Sequence, residues 1–283
     1  MFQVDSTAAA DGREFLLTAS RHETPLGRAR VTAEPLSSQI PELEYRVSGL
    51  ELPWDGDWPA VGEALLEAAV RVFPPGHILD ARLNAEVHDR LAARRRLLEA
   101  GRFSLFQEKE GFAWGDDGRP IPDSGRLVYR SLAELGREAF GPILARGPEA
   151  TLDRNDRYYW GRSGPAGWAA EMLGFCQPDD EGSWLAAFDR TGEPVGYVLV
   201  SAFDEEGVAT IAHIGVLPES RGRGYVTELL RESVREARRR GFRAMLSDAD
   251  TQNWPMVAAF ERAGHSSAAR AWHVWHYRRT IGD

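Results

Sequence analysis

Lysine is almost absent from this 283-residue chain: Lys109 is the one lysine, and arginine supplies the rest of the 34 basic residues. This bias indicates a GC-rich genome more than a basic binding surface. Acidic residues outnumber basic ones and give a net charge of −9. Because phosphate binding favours clustered positive charge, this balance argues against a nucleic-acid partner. It is compatible with a cationic amine substrate.

Cysteine and long apolar runs are also scarce. The single Cys176 excludes an internal disulfide framework and suits a reducing compartment, so we predict a cytoplasmic protein. We interpret Cys176 as a buried apolar thiol rather than a nucleophile. No stretch approaches about 18 uninterrupted apolar residues, so we expect no membrane span. Residues 1–11 lack a basic segment leading into an apolar run, so no signal peptide is expected.

The predicted domain organisation follows from length and from one turn-rich segment. Apolar residues make up 43% of the chain, enough for a sizeable core in each of two domains. Gly115–Gly125 is turn-forming throughout and is the best linker candidate. We therefore predict a first domain over 1–115, a linker over 116–125 and a second domain over 126–283.

The order of predicted elements repeats along the chain. In each half, two strands are followed by a helix, a strand, a helix and a strand. Similar helix ends lie at Leu97–Gly101 and Phe260–Gly264, each followed by an aromatic strand. This pattern indicates two copies of one domain. Residues 1–12 are small and polar, so we expect them to be poorly ordered.

Hydrophobic spacing predicts the elements of the second half. Asp153–Gly161 is polar and aromatic and is predicted to be a loop, followed by a helix over Pro165–Phe175. Trp184–Phe188 and Pro194–Ala202 are predicted strands. The final strand is predicted over Ala268–Arg278, where Trp272, Val274 and His276 alternate with other residues.

A glycine loop follows the strand that ends at Val216. From Ile211 the chain reads I-A-H-I-G-V-L-P-E-S-R-G-R-G-Y-V. The two glycines let several N–H groups point at one spot, at the positive end of the next helix, which is typical of a phosphate cradle. The P-loop motif fails because Tyr225 stands where its Lys belongs. The dinucleotide motif fails because Thr227 replaces its third Gly.

The loop resembles the acyl-CoA pyrophosphate loop of the GNAT acetyltransferases, V-x-P-x-x-[RQ]-G-x-G-x-[GA]. The matching residues are Val216, Pro218, Arg221, Gly222 and Gly224. Val226 stands where Gly or Ala is usual, and we expect it to be tolerated with its side chain towards the sheet. A second segment, Asp250–Gly264, resembles the family's N-x-x-A-x-x-[LF]-[YF]-E-[KR]-x-G-[FY] motif, in which Asn253 holds the CoA arm. The two-copy layout, with a degenerate first copy that lacks the loop, is similar to tandem members of the family.

This resemblance implies a fold and a reaction. The implied fold class is α/β (α+β), with two GNAT-like domains that each contain a mixed, mostly antiparallel sheet flanked by helices. The implied reaction is direct transfer of an acetyl or other acyl group from acetyl-CoA, as cosubstrate, to a primary amine of a small acceptor. No metal is expected, and the chain is expected to be a monomer or homodimer. The implied CoA-binding residues are Ile214, Gly215, Val216, Arg221, Gly222, Arg223, Gly224, Tyr225, Val226, Asn253 and Phe260, with Arg221 ordering the loop.

The catalytic residues follow less directly from the resemblance. Many family members place a Glu or His four residues before the conserved Val, and here that position is Ala212. His213 is one position away, and a β-bulge could turn it inwards to act as base; a structural hydrogen-bonded His is the alternative. The family's frequent Tyr acid is replaced by Phe260. Tyr225 is the candidate acid that we retain; other candidates are Tyr277, Asp248 and Asp250, or a base acting through water.

Two questions stay open from the sequence. Tyr158, Tyr159 and Trp160 either line the acceptor pocket or pack against the rest of the domain. The missing Glu and Tyr also allow a non-catalytic acyl-CoA-binding regulatory module, and the family includes protein N-acetyltransferases as a further alternative.

Overall fold

The computed structural model describes residues 2–37, 40–177, 179–203, 207–268 and 273–282. Contacts divide the chain into two compact units, one of Met1–Glu108 with Val274–Asp283 and the other of Lys109–His273. This division differs from the predicted domain limits at the C-terminus, because the last strand of the chain pairs with a strand of the first unit. Among the described residues, no helix combines the length and apolar character needed to cross a membrane.

The first unit contains a mixed sheet with helices against it. Its elements are β1 (Gln3–Ala8), β2 (Glu14–Arg21), β3 (Thr24–Ser37), β4 (Ile40–Glu51), α1 (Trp58–Val72), β5 (Ile78–Asn84), α2 (Leu91–Ala100), the beginning of β6 (Ser104–Gly115), and β13 (Val274–Thr280). The described pairs are antiparallel except for β4 with β5. The apolar face of α1 packs on this sheet through Val61, Leu65 and Leu66.

The second unit, like the first, contains a mixed sheet with helices against it. Its elements are β6 from Lys109, β7 (Val128–Ser131), α3 (Leu132–Arg146), α4 (Arg154–Phe175), β8 (Trp184–Phe188), β9 (Pro194–Ala202), β10 (Val208–Val216), α5 (Tyr225–Arg239), β11 (Ala244–Asp250), α6 (Trp254–Arg262) and β12 (Ser266–Ser267). The strand order is β6-β11-β10-β9-β8-β7, with β12 beside β6, and β10 with β11 is the parallel pair among the described pairs. The predicted fold class, mixed and mostly antiparallel sheets flanked by helices, is confirmed.

Local sequence signals explain where the helices near the site begin. Ser131 caps α3 by accepting the Glu134 N–H, and the Glu134 carboxylate accepts the Ser131 N–H in return. Asp153 caps α4 by accepting the N–H groups of Asn155 and Asp156. A kink at Gly164, with φ of 70°, divides α4.

Three predictions of local structure need correction. Residues 1–12, expected to be poorly ordered, include β1, whose backbone pairs with β2. Asp153–Gly161, predicted to be a loop, forms the cap and first turns of α4, because Asp153 satisfies the free N–H groups at the helix start. The final strand begins at Val274 rather than Ala268. Trp272, which belonged to that prediction, lies outside the described residues.

Candidate active site

A cavity opens in the second unit where two parallel strands part. β10 and β11 pair only over Val208–Thr210 with Ala244–Leu246, although both strands continue. Beyond this ladder the Ile211 N–H donates to Ser247 Oγ at 3.3 Å. The cavity that follows has a volume of about 410 Å³ and is lined by β10, β11, α6 and the glycine loop. Backbone groups that a regular sheet would pair therefore face the cavity.

Val216 directs its backbone towards this opened edge. The next residue, Leu217, donates its N–H to Val195 O on the β9 side at 2.8 Å. Successive residues of a strand direct their N–H groups to opposite edges, so the Val216 N–H points away from β9. The Val216 carbonyl accepts a hydrogen bond from Nε of Arg221 at 2.9 Å. Val216 thus has the orientation that contact with an acyl carbonyl requires.

Arg221 anchors the glycine loop to backbone on two sides. Besides Val216 O, its Nη atoms donate to Ala150 O at 3.1 Å and Gly147 O at 2.9 Å. The rigid guanidinium fork makes these bonds simultaneously, which agrees with the predicted ordering role.

The loop ends at an uncapped helix N-terminus. Gly222 and Gly224 have φ of 74° and 78°, in the left-handed region that glycine tolerates best. Gly224 is the N-cap of α5, and no side chain caps this helix. The first N–H groups of a helix have no helical partner and lie at its positive end, so those of Tyr225 and Val226 suit a phosphate. The Val226 side chain packs with an apolar cluster.

The second predicted segment lies on another wall of the cavity. Asn253 is the N-cap residue of α6, but its side chain makes no capping bond. Phe260 stacks on Phe112 with ring centroids 4.5 Å apart. Of the predicted CoA-binding residues, all except Arg223 line the cavity. The Arg223 carbonyl instead accepts hydrogen bonds from both Nη atoms of Arg126 at 3.1 Å. This arrangement fits CoA: amide donors for phosphates at one place and an opened strand edge for the pantetheine arm.

His213 reaches the cavity because β10 contains a bulge. The pairing with β9 passes from Ile211↔Val200 to His213↔Leu199, so Ala212 is the extra residue. His213 therefore takes the place opposite Leu199 that regular pairing would give to Ala212. This is the bulge considered above as a way for His213 to turn inwards, and the role of His213 as base stays a prediction.

Both ring nitrogens of His213 have partners. Nε2 lies 3.0 Å from Oδ2 of Asp156, and Nδ1 lies 3.0 Å from Oη of Tyr197. The ring also packs edge-on against Trp168 with centroids 5.2 Å apart. Burial lowers the pKa of His213, but the negative charge of Asp156 and its hydrogen bond outweigh burial, so the pKa is raised above the ordinary value.

Charged groups surround this pair inside the cavity. Lys109 Nζ lies 2.6 Å from Oδ1 of Asp248. Burial lowers the pKa of Lys109, but the charge and hydrogen bond of Asp248 together with the charges of Asp153 and Asp156 outweigh burial and raise it. Burial, followed by the charge of Asp156, raises the pKa of Asp153 to about 6. The cavity lining therefore carries three carboxylates, Asp153, Asp156 and Asp248, and two permanent cations, Lys109 and Arg221, with His213 as a third group that can be cationic.

Several other candidates lie away from the cavity. Tyr277 belongs to the first unit, where its hydroxyl contacts Arg95 and Glu99. Asp250 is buried and accepts the N–H groups of Arg154 and Gln252. Tyr158, Tyr159 and Trp160 do not line the cavity; the Trp160 Nε1 donates to Ala145 O at 2.8 Å. Cys176 is half-buried, and burial raises its pKa to about 11. This raised pKa agrees with a thiol that is not a nucleophile.

Sequence reasoning missed Asp156, Tyr197 and Lys109 as site residues. Asp153 and Asp156 have the spacing of an N-cap and an acidic residue in the first helical turn, so the start of α4 was detectable. Tyr197 lies in a continuous apolar strand and carries no local signal. Lys109 stands out only as the single lysine.

Comparison with known proteins identifies the family. Residues 149–265 match the model of the acetyltransferase (GNAT) family. This segment, which makes up most of the second unit, belongs to the GNAT superfamily. An uncharacterised N-acetyltransferase of Methanocaldococcus jannaschii is 29% identical over 114 residues, 38% of this chain and 49% of the relative. A mycothiol acetyltransferase of Streptomyces bingchenggensis is 32% identical over 89 residues, 31% of the chain and 28% of the relative. The chain thus spans half or less of these relatives.

A solved structure shares the fold over nearly the whole chain. A tandem GNAT protein from the clavulanic acid biosynthesis pathway superposes with a TM-score of 0.53 and 16% identity, covering 95% of this chain and 83% of its own. At this identity the likeness concerns the fold alone.

Proposed function

We propose that this GNAT protein transfers an acyl group, with acetyl as the simplest case, directly from acetyl-CoA to a primary amine of a small molecule. The observation that carries the proposal is the parting of β10 and β11 beside the glycine loop. It combines an opened strand edge, uncapped N–H groups and a cavity of about 410 Å³ in one place. A site for a phosphate-bearing thioester needs these features together.

The chain's own residues have separable tasks in this proposal. The loop N–H groups hold the diphosphate, and Arg221 keeps the loop in place. The Val216 N–H donates to the acyl carbonyl, where negative charge develops during amine attack. The charged groups around His213 and Asp156 bind the amine and accept its proton.

We also propose that the first unit is a degenerate copy. Its β4 and β5 run parallel and pair over Tyr45–Val47 with Leu79–Ala81, a three-residue ladder like that of β10 with β11. As in the second unit, a helix connects the two strands. The connection before that helix contains no R-G-x-G sequence, so we expect no CoA site there.

Isothermal titration calorimetry with acetyl-CoA tests the loop assignment. We expect one equivalent bound per chain and at least about tenfold weaker binding by Gly224→Trp, because a bulky residue occupies the phosphate site and is strained at positive φ. Gly192→Trp is the matched control, since Gly192 also has positive φ (89°) but lies in the β8–β9 turn. Unchanged binding by Gly224→Trp refutes the loop assignment, and two equivalents refute the degenerate first copy.

Release of the CoA thiol across a panel of amines tests the reaction. Turnover with small amines supports the proposal. Tight acetyl-CoA binding without turnover of any amine or peptide indicates the non-catalytic acyl-CoA-binding module instead. Turnover confined to peptide N-termini indicates a protein N-acetyltransferase.

A further inference from the structure

His213 is poorly placed to take a proton from an acceptor. Its side chain is 14% exposed, and its two nitrogens are engaged by Asp156 and Tyr197. With the Asp156 carboxylate ionised, Nε2 must carry a proton to donate to it. The remaining nitrogen, Nδ1, faces the buried Tyr197 hydroxyl rather than the cavity.

Asp156 has the opposite arrangement. Its Oδ2 is bonded to His213, whereas no donor among the described residues is bonded to its Oδ1. The side chain is 21% exposed and lines the cavity. We propose that Asp156 contacts the acceptor amine and takes its proton, and that His213 and Tyr197 are positioning residues that hold this carboxylate. This inference rests on the proposed acyl transfer.

The Tyr197–His213–Asp156 chain is built into the fold. The Tyr197 side chain is completely buried. A Cβ on Gly147 would overlap the Tyr197 hydroxyl, and one on Gly215 would lie 2.9 Å from it. Glycine at both positions therefore leaves the space that the hydroxyl needs to reach His213. The bulge at Ala212 supplies the other half of the arrangement by turning His213 towards Tyr197 and Asp156.

The charges around Asp156 select the class of acceptor. The charged and titratable groups that line the cavity with it are Asp153 at the start of its own helix, His213 on β10, Asp248 on β11, Lys109 on β6 and Arg221 in the glycine loop. Lys109 is already paired with Asp248, and His213 with Asp156. An ammonium group placed at Oδ1 of Asp156 gains a charge-assisted hydrogen bond there, whereas a carboxylate beside the amine meets the like charge of Asp156. We therefore expect decarboxylated amines to be preferred over the corresponding α-amino acids.

The proton and bond changes balance without another reactant. The ammonium gives one proton to Asp156, and its nitrogen then forms a bond to the thioester carbon. The carbon–sulfur bond breaks, the amide nitrogen loses its second proton, and the departing thiolate becomes a thiol by gaining one proton. Asp156 returns its proton to solvent, so one proton is released for each acyl group transferred to an ammonium.

The test compares Asp156→Asn with Glu138→Gln, which removes one carboxylate from the exposed face of α3 outside the cavity. Thiol release is measured with tyramine against tyrosine and phenethylamine against phenylalanine. We expect at least about tenfold higher kcat/KM for the amines, and about 100-fold loss of kcat/KM in Asp156→Asn. Glu138→Gln should match the wild type, and acetyl-CoA affinity should change less than about threefold in both variants.

The positioning residues need a different readout. In Tyr197→Phe we expect a loss of kcat within about tenfold, unchanged acetyl-CoA affinity and a displaced acidic limb of the pH profile, because His213 loses the partner of Nδ1. His213→Gln retains a donor for Asp156 and should keep more activity than His213→Ala. A complete loss in His213→Gln, with activity retained in Asp156→Asn, would identify His213 as the base and overturn the proposal.

Binding separates this inference from the proposed function. Phenethylamine is titrated into CoA-saturated protein, and its affinity should fall at least about fivefold in Asp156→Asn. Equal affinity of both proteins, or no detectable binding to the wild type, refutes the role of Asp156 even without turnover. Failure of acetyl-CoA itself to bind refutes the proposed function instead.

Discussion

A buried histidine makes the stability of the second unit depend on pH. His265 is 4% exposed, and neither ring nitrogen has a hydrogen-bond partner among the described residues. Its ring packs edge-on against Phe260 with centroids 5.1 Å apart. Burial lowers the pKa of His265 from 6.5 to about 4. The folded protein therefore keeps this imidazole neutral at pH values where the unfolded chain protonates it.

The sign and size of the effect follow from proton linkage. Between pH 6.5 and about pH 4 the unfolded state binds the extra proton, so the free energy of unfolding falls as the pH falls. Each pKa unit corresponds to about 1.4 kcal/mol, so the total loss from this residue is about 3 kcal/mol. Above pH 6.5 His265 causes no loss in the free energy of unfolding, and the full loss is reached at about pH 4.

His265→Leu removes the titrating group while keeping a similar volume. At pH 7.5 we expect a free energy of unfolding within about 1 kcal/mol of the wild type, because loss of two unpaired nitrogens offsets imperfect packing. Towards pH 4 the variant should gain about 3 kcal/mol relative to the wild type.

Urea denaturation at pH 7.5, 6.5, 5.5 and 4.5 measures this difference. Val257→Ala is the control: it removes apolar contacts from the cluster around Phe260, so its cost should be the same at every pH. It also identifies the unfolding transition that belongs to the second unit. A difference between His265→Leu and the wild type that stays constant with pH would refute the reasoning.

Two other substitutions test contacts described above. Arg221→Lys keeps the charge but cannot replace a fork bonded to three carbonyls, so calorimetry should show about tenfold weaker acetyl-CoA binding in a folded protein; unchanged affinity would contradict the ordering role. Asp80→Asn removes a completely buried carboxylate that lies within ion-pair distance of three arginines. Thermal and urea unfolding of the first unit should therefore show a free energy of unfolding lower by about 3 kcal/mol. A decrease below about 1 kcal/mol would contradict a stabilising role of this carboxylate.

The sequence predicted strands and loops where local signals are strong. The glycine loop could be located because positive φ demands glycine, and Gly222 and Gly224 both have it. Strands β8 and β9 were bounded correctly and β10 ends at Val216 as predicted, since turn residues flank short apolar runs. The start of α4 was missed because the aromatic and polar residues after Asp153 hide the helical period, although the cap itself is a local signal.

The catalytic arrangement depended on features without a local signature. Regular alternation along β10 would place His213 on the face opposite to the family's Glu or His. Only the pairing of β10 with β9 shows that Ala212 is the additional residue of a bulge. Tyr197 reaches His213 through space left by Gly147, which is distant in the sequence. Long-range packing of this kind cannot be derived from periodicity, so the glycine loop was predictable and the carboxylate–histidine–tyrosine arrangement was not.

The distribution of charge within the cavity bears on the order of the chemistry. The glycine loop lies beyond the end of β10 and offers N–H groups at a helix terminus, which favours an anion. Asp156 lines the cavity beside residues within β10 and favours a cation, whereas Asp248 is already paired with Lys109. In the proposed reaction the phosphate-bearing donor and the ammonium-bearing acceptor would therefore have separate, electrically opposite places in one cavity. Since neither substrate must leave for the other to bind, the arrangement favours direct transfer in a ternary complex over an acyl-enzyme intermediate. The position of Cys176 outside this cavity, with a raised pKa, agrees with that preference.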